Sequence, residues 1–142
     1  MGLFGGSRPD NLGAVNGVLA RCKASPNCIS SQAQPQTDPG HYIEPLQAGS
    51  NPLLTWEALK RLLAELPRVN LVQDHDGYLY AEFSTPLMGF VDDVEFFASA
   101  AEGVVHVRSS SRLGRRDFGV NRERVEAIRA RFGAARSGAR QA

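Results

Sequence analysis

Two groups of residues in this 142-residue chain have the types and spacing for chemistry. The first is Cys28 with His41. A thiol becomes a nucleophile when a base takes its proton, and Asp38, three residues before His41, is placed to orient the imidazole for that task. The second is the run Arg108, Ser109, Ser111, Arg112, Asp117, Asn121 and Arg122, which gathers planar cations, hydroxyls and an expected helix start in one short stretch. Backbone amides at a helix N-terminus favour an anion, and two or three guanidinium groups can clamp a phosphate or a carboxylate. A structural role competes with this one: the same arginines could tie Asp92, Asp93 and Asp117 to the end of a sheet.

Five residues separate Cys22 from Cys28, which fits no common zinc pattern, so no metal is expected there. Three roles stay open for the pair: a small disulfide or redox switch, a nucleophile at Cys28, or a buried loop anchor. In a reducing cytosol the thiols are expected to stay free unless they form a switch. No Walker or dinucleotide glycine motif is present, and no cofactor is expected.

The elements that must position these groups can be read from periodicity. Beyond Gly89, Phe90, Val94, Phe96 and Ala98 alternate with Val91, Asp93, Glu95 and Phe97, which is a strand with one apolar face. Asp92 falls on that apolar face and needs a cationic partner, because an unpaired buried charge costs several kcal/mol, roughly. Val104 to Ser110 alternates again, so the two runs form a hairpin in which Asp93 and Glu95 share a face with His106 and Arg108. His106 is expected to pair with one of those two carboxylates. A second hairpin, Val69 to Ser84, turns at Asp76-Gly77, with Leu79, Ala81 and Phe83 toward the core.

Leu53 to Leu66 predicts a helix capped by Thr55, with Trp56, Leu59, Leu62, Leu63 and Leu66 as its apolar stripe and Pro67 as its stop. A second helix is expected to open at Asn121 as N-cap, to carry Val125, Ile128 and Phe132 inward, and to end at Gly133. Residues 1–52 lack any sustained period and are read as a loop-rich arm docking onto a core of residues 53–133, with 134–142 a flexible basic tail. The predicted fold class is α+β: a four-stranded antiparallel sheet of two hairpins, two helices on one face, and the long N-terminal arm.

Charge is unevenly spread. Residues 1–103 hold 6 Lys and Arg against 12 Asp and Glu, and residues 104–142 hold 10 against 3. Fourteen of the sixteen cations are Arg, which favours bidentate pairing with carboxylate or phosphate. The halves are expected mainly to neutralise each other in the fold. Nucleic acid is not an expected partner, since Phe118 alone interrupts the arginine run and stacking platforms need more aromatics. No segment is apolar enough to cross a membrane, the N-terminus has no signal-peptide core, and a cytoplasmic chain is expected.

Three separated stretches, PNCISS from Pro26, GFVDDVEF from Gly89 and VRSSSRLGRRDFGVNRERV from Val107, resemble in this order the bacterial and plastid family called domain of unknown function 1499. The resemblance spans about Leu12 to Phe132. Lys23 departs from the proline common after the first cysteine, and Arg115 from a usual aromatic. The resemblance implies no reaction, so function rests on the residues themselves. They predict a small soluble binding or scaffold module in which Cys28 and His41 fold back beside Asp92, Asp93 and the Arg108 to Arg122 run to make one polar pocket for a small anion. A cysteine-dependent hydrolase or transferase, and a purely structural partner-binding protein, are the alternatives.

Overall fold

The computed structural model describes residues 5–86, 89–116 and 119–141. The chain runs β1 (Ala14–Val15), β2 (Val18–Leu19), β3 (Cys28–Ser30), β4 (Leu46–Gln47), α1 (Pro52–Glu65), β5 (Val69–His75), β6 (Tyr78–Ser84), β7 (Val91–Ser99), β8 (Val104–Ser111) and α2 (Val120–Gln141).

Strands β5 to β8 are the two expected hairpins. Asp76 and Gly77 both take positive φ, 51° and 75°, the conformation a tight two-residue hairpin turn demands and that Asp and Gly tolerate. Across β7 and β8, Phe96 stands opposite Val107 and Glu95 opposite Arg108. Slipping this register by one residue would bury the charges among the apolar side chains, so the pattern allows one pairing.

The sheet is wider than the four strands expected. β3 and β4 lie one after the other along β8, each antiparallel to it, and the strand order is β3-β8-β7-β6-β5 with β4 also on β8. Between them Ser31 continues the ladder: its N–H donates to the Val107 carbonyl and its Oγ accepts the Val107 N–H, both at 2.9 Å. An edge strand carries a row of unpaired N–H and C=O groups, and these pieces of the arm satisfy those of β8. The rest of the arm adds a two-stranded ribbon, β1 with β2.

Both helices cover one face, as expected. Leu59, Leu62 and Leu63 of α1 and Val125, Ile128 and Phe132 of α2 close over Leu79, Val94, Phe96, Val105 and Val107. Burying such side chains stabilises by about 1.5–3 kcal/mol each before conformational entropy is counted. The helix ends differ from the reading of the sequence. Asn51 caps α1, its Oδ1 accepting the Leu54 N–H at 3.1 Å, and Pro52 takes the first turn, where its missing N–H leaves nothing unpaired. Thr55 is inside the helix, buried, its hydroxyl donated to the Ala48 carbonyl. α2 begins at Val120, so Asn121 sits in its first turn instead of capping it, and the helix passes Gly133 and continues to Gln141.

The other face of the sheet is covered by the arm. Leu19 is buried against Tyr78 and Tyr80, with Leu12, Ala14, Val72 and Phe97 around them. A register shift between Leu71 and Gln73 interrupts the alternation of β5 at Val72, which joins this second cluster.

Candidate functional site

Strand alternation divides the predicted site residues between the two faces. On the arm-covered face, Glu82, Asp93 and Glu95 come from β6 and β7, paired as Glu82 with Asp93 and Tyr80 with Glu95. Arg108 of β8 and Arg112 just beyond it answer them. Glu95 is fully buried: Oε1 accepts Arg108 Nη1 at 2.8 Å, and Oε2 accepts the Gly13 N–H at 2.7 Å and the Tyr78 hydroxyl. Asp93 accepts Arg112 Nε and Nη2 at 2.9–3.2 Å together with the Tyr80 hydroxyl. Glu82 accepts Arg112 Nη2, Arg8 Nε at 3.0 Å and Asn70 at 3.2 Å.

These contacts set the protonation chemistry of the layer. Burial first, and then donation to the carboxylates of Glu95 and Asp93, push the Tyr78 and Tyr80 phenols well above their ordinary range. Burial works against the Glu82 carboxylate, yet Arg112, Arg8 and Asn70 hold it below the usual carboxylate value. The layer is a set of charge-assisted hydrogen bonds in a place largely closed to water, where each is stronger than at a free surface.

Beside this layer lies a cleft of about 330 Å³ between the arm and the end of β8. Asn11, Arg21 and Lys23 line it from the arm, and Asp93, Arg108, Ser110, Ser111 and Arg112 from the sheet. Lys23 Nζ donates to the Ser111 carbonyl at 2.7 Å. Burial first, and then the charge of Arg108, lower the Lys23 pKa. Arg108 is 5% exposed, and its Nε is buried with no hydrogen-bond partner.

The opposite, helix-covered face holds the other predicted residues in a closed lattice. Asp92 finds its cation in Arg124, Oδ2 accepting Nη2 at 2.6 Å, and Arg124 also lies 5.1 Å over the Phe83 ring. Arg124 Nη1 and the Ser109 hydroxyl both donate to Asn121 Oδ1, at 2.9 and 2.7 Å. Asn121 Nδ2 donates to Ser111 Oγ and the Asn27 carbonyl. The lattice joins α2 to β7, β8 and the lead into β3, and the Asn121 side chain is used up in it.

The single pocket expected from the sequence is therefore split. Asp93, Arg108 and Arg112 meet at the cleft, with Ser111 on its rim. Asp92, Ser109 and Asn121 belong to the lattice behind the sheet. Arg122 stands apart, donating to the Gly40 carbonyl at 3.2 Å. Asp117 lies outside the described residues. Alternation is the cause: Asp92 and Asp93 are neighbours in β7 and must leave it on opposite faces.

Cys28 is bonded to Cys22, and both described cysteines are used in that disulfide. While that bond is closed, Cys28 has no thiol for a base to deprotonate, and of the roles left open for the pair the structure shows the small disulfide. His41 is oriented by Asp38 as expected, Nδ1 to Oδ1 at 2.8 Å, but its Nε2 faces the Ser25 carbonyl at 2.9 Å. The Ser25 carbonyl first, and Asp38 with it, raise the imidazole pKa against the opposing effect of burial. His41 thus clips the loop before β3 to the loop before β4. His106 does not pair with Asp93 or Glu95, because it stands opposite Phe97. Its Nε2 meets Glu102 and its Nδ1 lies 2.9 Å from Ser31 Oγ. That order resembles a proton relay, but both residues are buried and Ser31 Oγ already accepts the Val107 N–H, which commits it to the β8 ladder.

Arg21, Lys23, Ser110 and Arg124 were not singled out in the sequence. Two of them carried a signal: Ser110 shares the period-two face of Arg108, and Arg124 lies three residues past Asn121 with Asp92 in need of a cation. Arg21 and Lys23 had none, since nothing local shows which part of an aperiodic arm meets β8. Three arginines of the basic C-terminal third pair with carboxylates of the acidic part, Arg108, Arg112 and Arg124 with Glu95, Asp93, Glu82 and Asp92. Among the described residues no helix is long and apolar enough to cross a membrane, and no group of three or more His, Cys, Asp or Glu is placed to hold a metal.

No curated protein and no solved structure matches the chain. The family model described as protein of unknown function (DUF1499) matches residues 18–132, from the β1–β2 ribbon to the last core position of α2, and the chain belongs to that family.

Proposed function

We propose that this chain is a binding module whose cleft between the arm and β8 holds a small oxyanion, a phosphate or carboxylate group. One observation carries the reading: Arg108 lines the cleft with a buried Nε that has no acceptor. Buried donors in folded proteins are paired as a rule, and leaving one unmade costs about 1–3 kcal/mol, more for a charged group. An oxyanion in the cleft, with a small turn of the guanidinium toward it, would supply that acceptor.

The surroundings support the same chemistry. Arg112 is held side-on by Asp93 and Glu82, which fixes the plane of its guanidinium. Lys23 meets only a backbone carbonyl, and neither it nor Arg21 forms a salt bridge within the described residues. Burial lowers the lysine pKa first and the charge of Arg108 second, and an anion between Lys23 and Arg108 relieves that repulsion. The start of α2, an expected anion site, takes no part, because the Asn121 side chain is bound into the lattice on the other face. The Cys28 enzyme reading is not carried forward, since its sulfur is bonded in this structure and both His41 ring nitrogens are engaged, with Asp38 and the Ser25 carbonyl.

Calorimetric titration with inorganic phosphate, sulfate and acetate tests this. The intact chain is expected to bind at least one of them, and Arg21→Ala with Lys23→Ala to weaken binding by at least about tenfold, two charge-assisted contacts being lost, with the thermal midpoint little changed. Absence of any anion binding would overturn the proposal. It would favour a partner-binding scaffold, for which the apolar groove of about 350 Å³ beside half-exposed Leu113 and Val120 is the supporting feature.

A further inference from the structure

The disulfide is flanked by residues that line the same cleft. Cys22 stands between Arg21 and Lys23, the two cleft cations without a carboxylate partner, while Cys28 lies on β3 opposite Ser110, another lining residue. Between Leu19 and Ser25 the described residues show one hydrogen bond to the sheet, Lys23 Nζ to the Ser111 carbonyl. The sulfur bridge is thus the main tie that holds Arg21 and Lys23 at the cleft.

The two sulfurs differ in access. Cys28 is 0% exposed, whereas Cys22 is partly exposed and lines a second cleft of about 590 Å³ on its other side. An entering thiolate can approach Cys22 from there. The two cysteines are only six positions apart, and a bridge over so short a loop restricts the unfolded chain much less than a long-range one does. Neither cysteine belongs to the large apolar cluster under the helices. Opening the bond would free a strap and leave the sheet and helices in place.

We propose that Cys22–Cys28 is a thiol–disulfide exchange site that sets the anion affinity of the cleft, an inference that rests on the oxyanion reading. The co-reactant is a dithiol. Its thiolate attacks Cys22 Sγ, the Cys22–Cys28 bond breaks, and the electron pair leaves on Cys28 Sγ, which takes up a proton. The second thiol of the reductant then displaces Cys22 from the mixed disulfide, and Cys22 takes up the second proton. Two electrons pass to the protein and the reductant ends as a disulfide. A disulfide persists in an oxidising compartment and cycles in a reducing one, so the cytoplasmic setting expected from the sequence implies a bond that is made and broken.

The test is titration of inorganic phosphate into the full chain, oxidised, after reduction with dithiothreitol, and as the Cys22→Ser, Cys28→Ser double variant, with circular dichroism on each. Dithiothreitol is expected to reduce the folded protein, circular dichroism to stay native-like, and the phosphate Kd to rise at least about tenfold in both the reduced and the double-variant forms. Equal phosphate affinity in oxidised and reduced protein would overturn the gate and leave the oxyanion reading standing. So would a bond that resists dithiothreitol until the domain unfolds, or loss of native circular dichroism on reduction. If the oxidised chain itself binds no phosphate while sulfate or acetate binds, the gate as stated fails alone; if no anion binds, both proposals fail.

Discussion

The two faces of the main sheet solve the problem of buried charge in opposite ways. Under the helices one carboxylate, Asp92, enters an apolar core and is closed off by a single arginine and a ring of hydroxyl and amide groups. Under the arm, three carboxylates and three arginines form a layer beside a cleft, and Arg108 Nε is left without a partner in it. A lattice in which each donor meets an acceptor locks elements together. The layer under the arm keeps one buried donor without a partner, and the oxyanion proposal rests on it. That contrast separates the closed lattice from the proposed binding face more clearly than residue type does, since both faces draw on the same Arg, Asp and Ser.

The contrast can be broken most severely at Glu95. Replacing it with Ala strands Arg108, the Gly13 N–H and the Tyr78 hydroxyl together, and a loss of about 3–5 kcal/mol in urea unfolding is expected. Its neighbours in β7 then sharpen the comparison. Asp92→Ala leaves Arg124 buried without its carboxylate and is expected to remove about 3 kcal/mol while phosphate affinity stays as it was. Asp93→Asn leaves Arg112 still paired with Glu82, so the expected loss is smaller, about 1–2 kcal/mol. Removing that negative charge from the cleft lining is expected to tighten phosphate binding by about tenfold. If both aspartates changed phosphate affinity alike, the division between the faces would be wrong.

The smallest expected effect is a pH dependence of stability. His41 has a raised pKa in the folded chain, so its contribution is complete below the unfolded histidine value near ~6.5 and is lost as pH rises through the folded value. Glu82 is depressed, so its contribution is present above the unfolded carboxylate value and is lost as pH falls through the folded one. Each is expected to be worth about 1 kcal/mol or less, since Asp38 and Arg8 are half exposed to solvent screening. Thermal midpoints of His41→Gln and the native chain should converge at alkaline pH and separate toward pH 6. Parallel curves across that range would remove the imidazolium clip.

Much of the fold was legible in local pattern. The turn at Asp76-Gly77, the apolar stripe of α1 and the register that sets Glu95 against Arg108 follow from periods of two and 3.6 over seven residues or more. The helix starts were less legible, because Asn51 and Thr55 are both capping types. Pro52, fit for a first turn, makes Asn51 the cap. The site was half legible. Asp93 and Arg108 on the strands and Arg112 just past β8 came out together, whereas Asp92 and Asn121 were pooled with them through nearness in sequence, although alternation sends Asp92 behind the sheet, where α2 places Asn121.

Composition and periodicity by themselves determined the α+β class, the two hairpins, the helix-covered core and the need of Asp92 for a cation, because each is a consequence of side-chain spacing within one element. Tertiary structure alone decided that pieces of the arm extend the sheet, that Cys22 joins Cys28, and that Arg21 and Lys23 arrive beside Arg108. Segments of two or three residues have no period to read, and the positions of β3 and β4 depend on the open hydrogen-bonding groups of β8, far along the chain, where Cys28 meets Ser110 and Leu46 meets Val105.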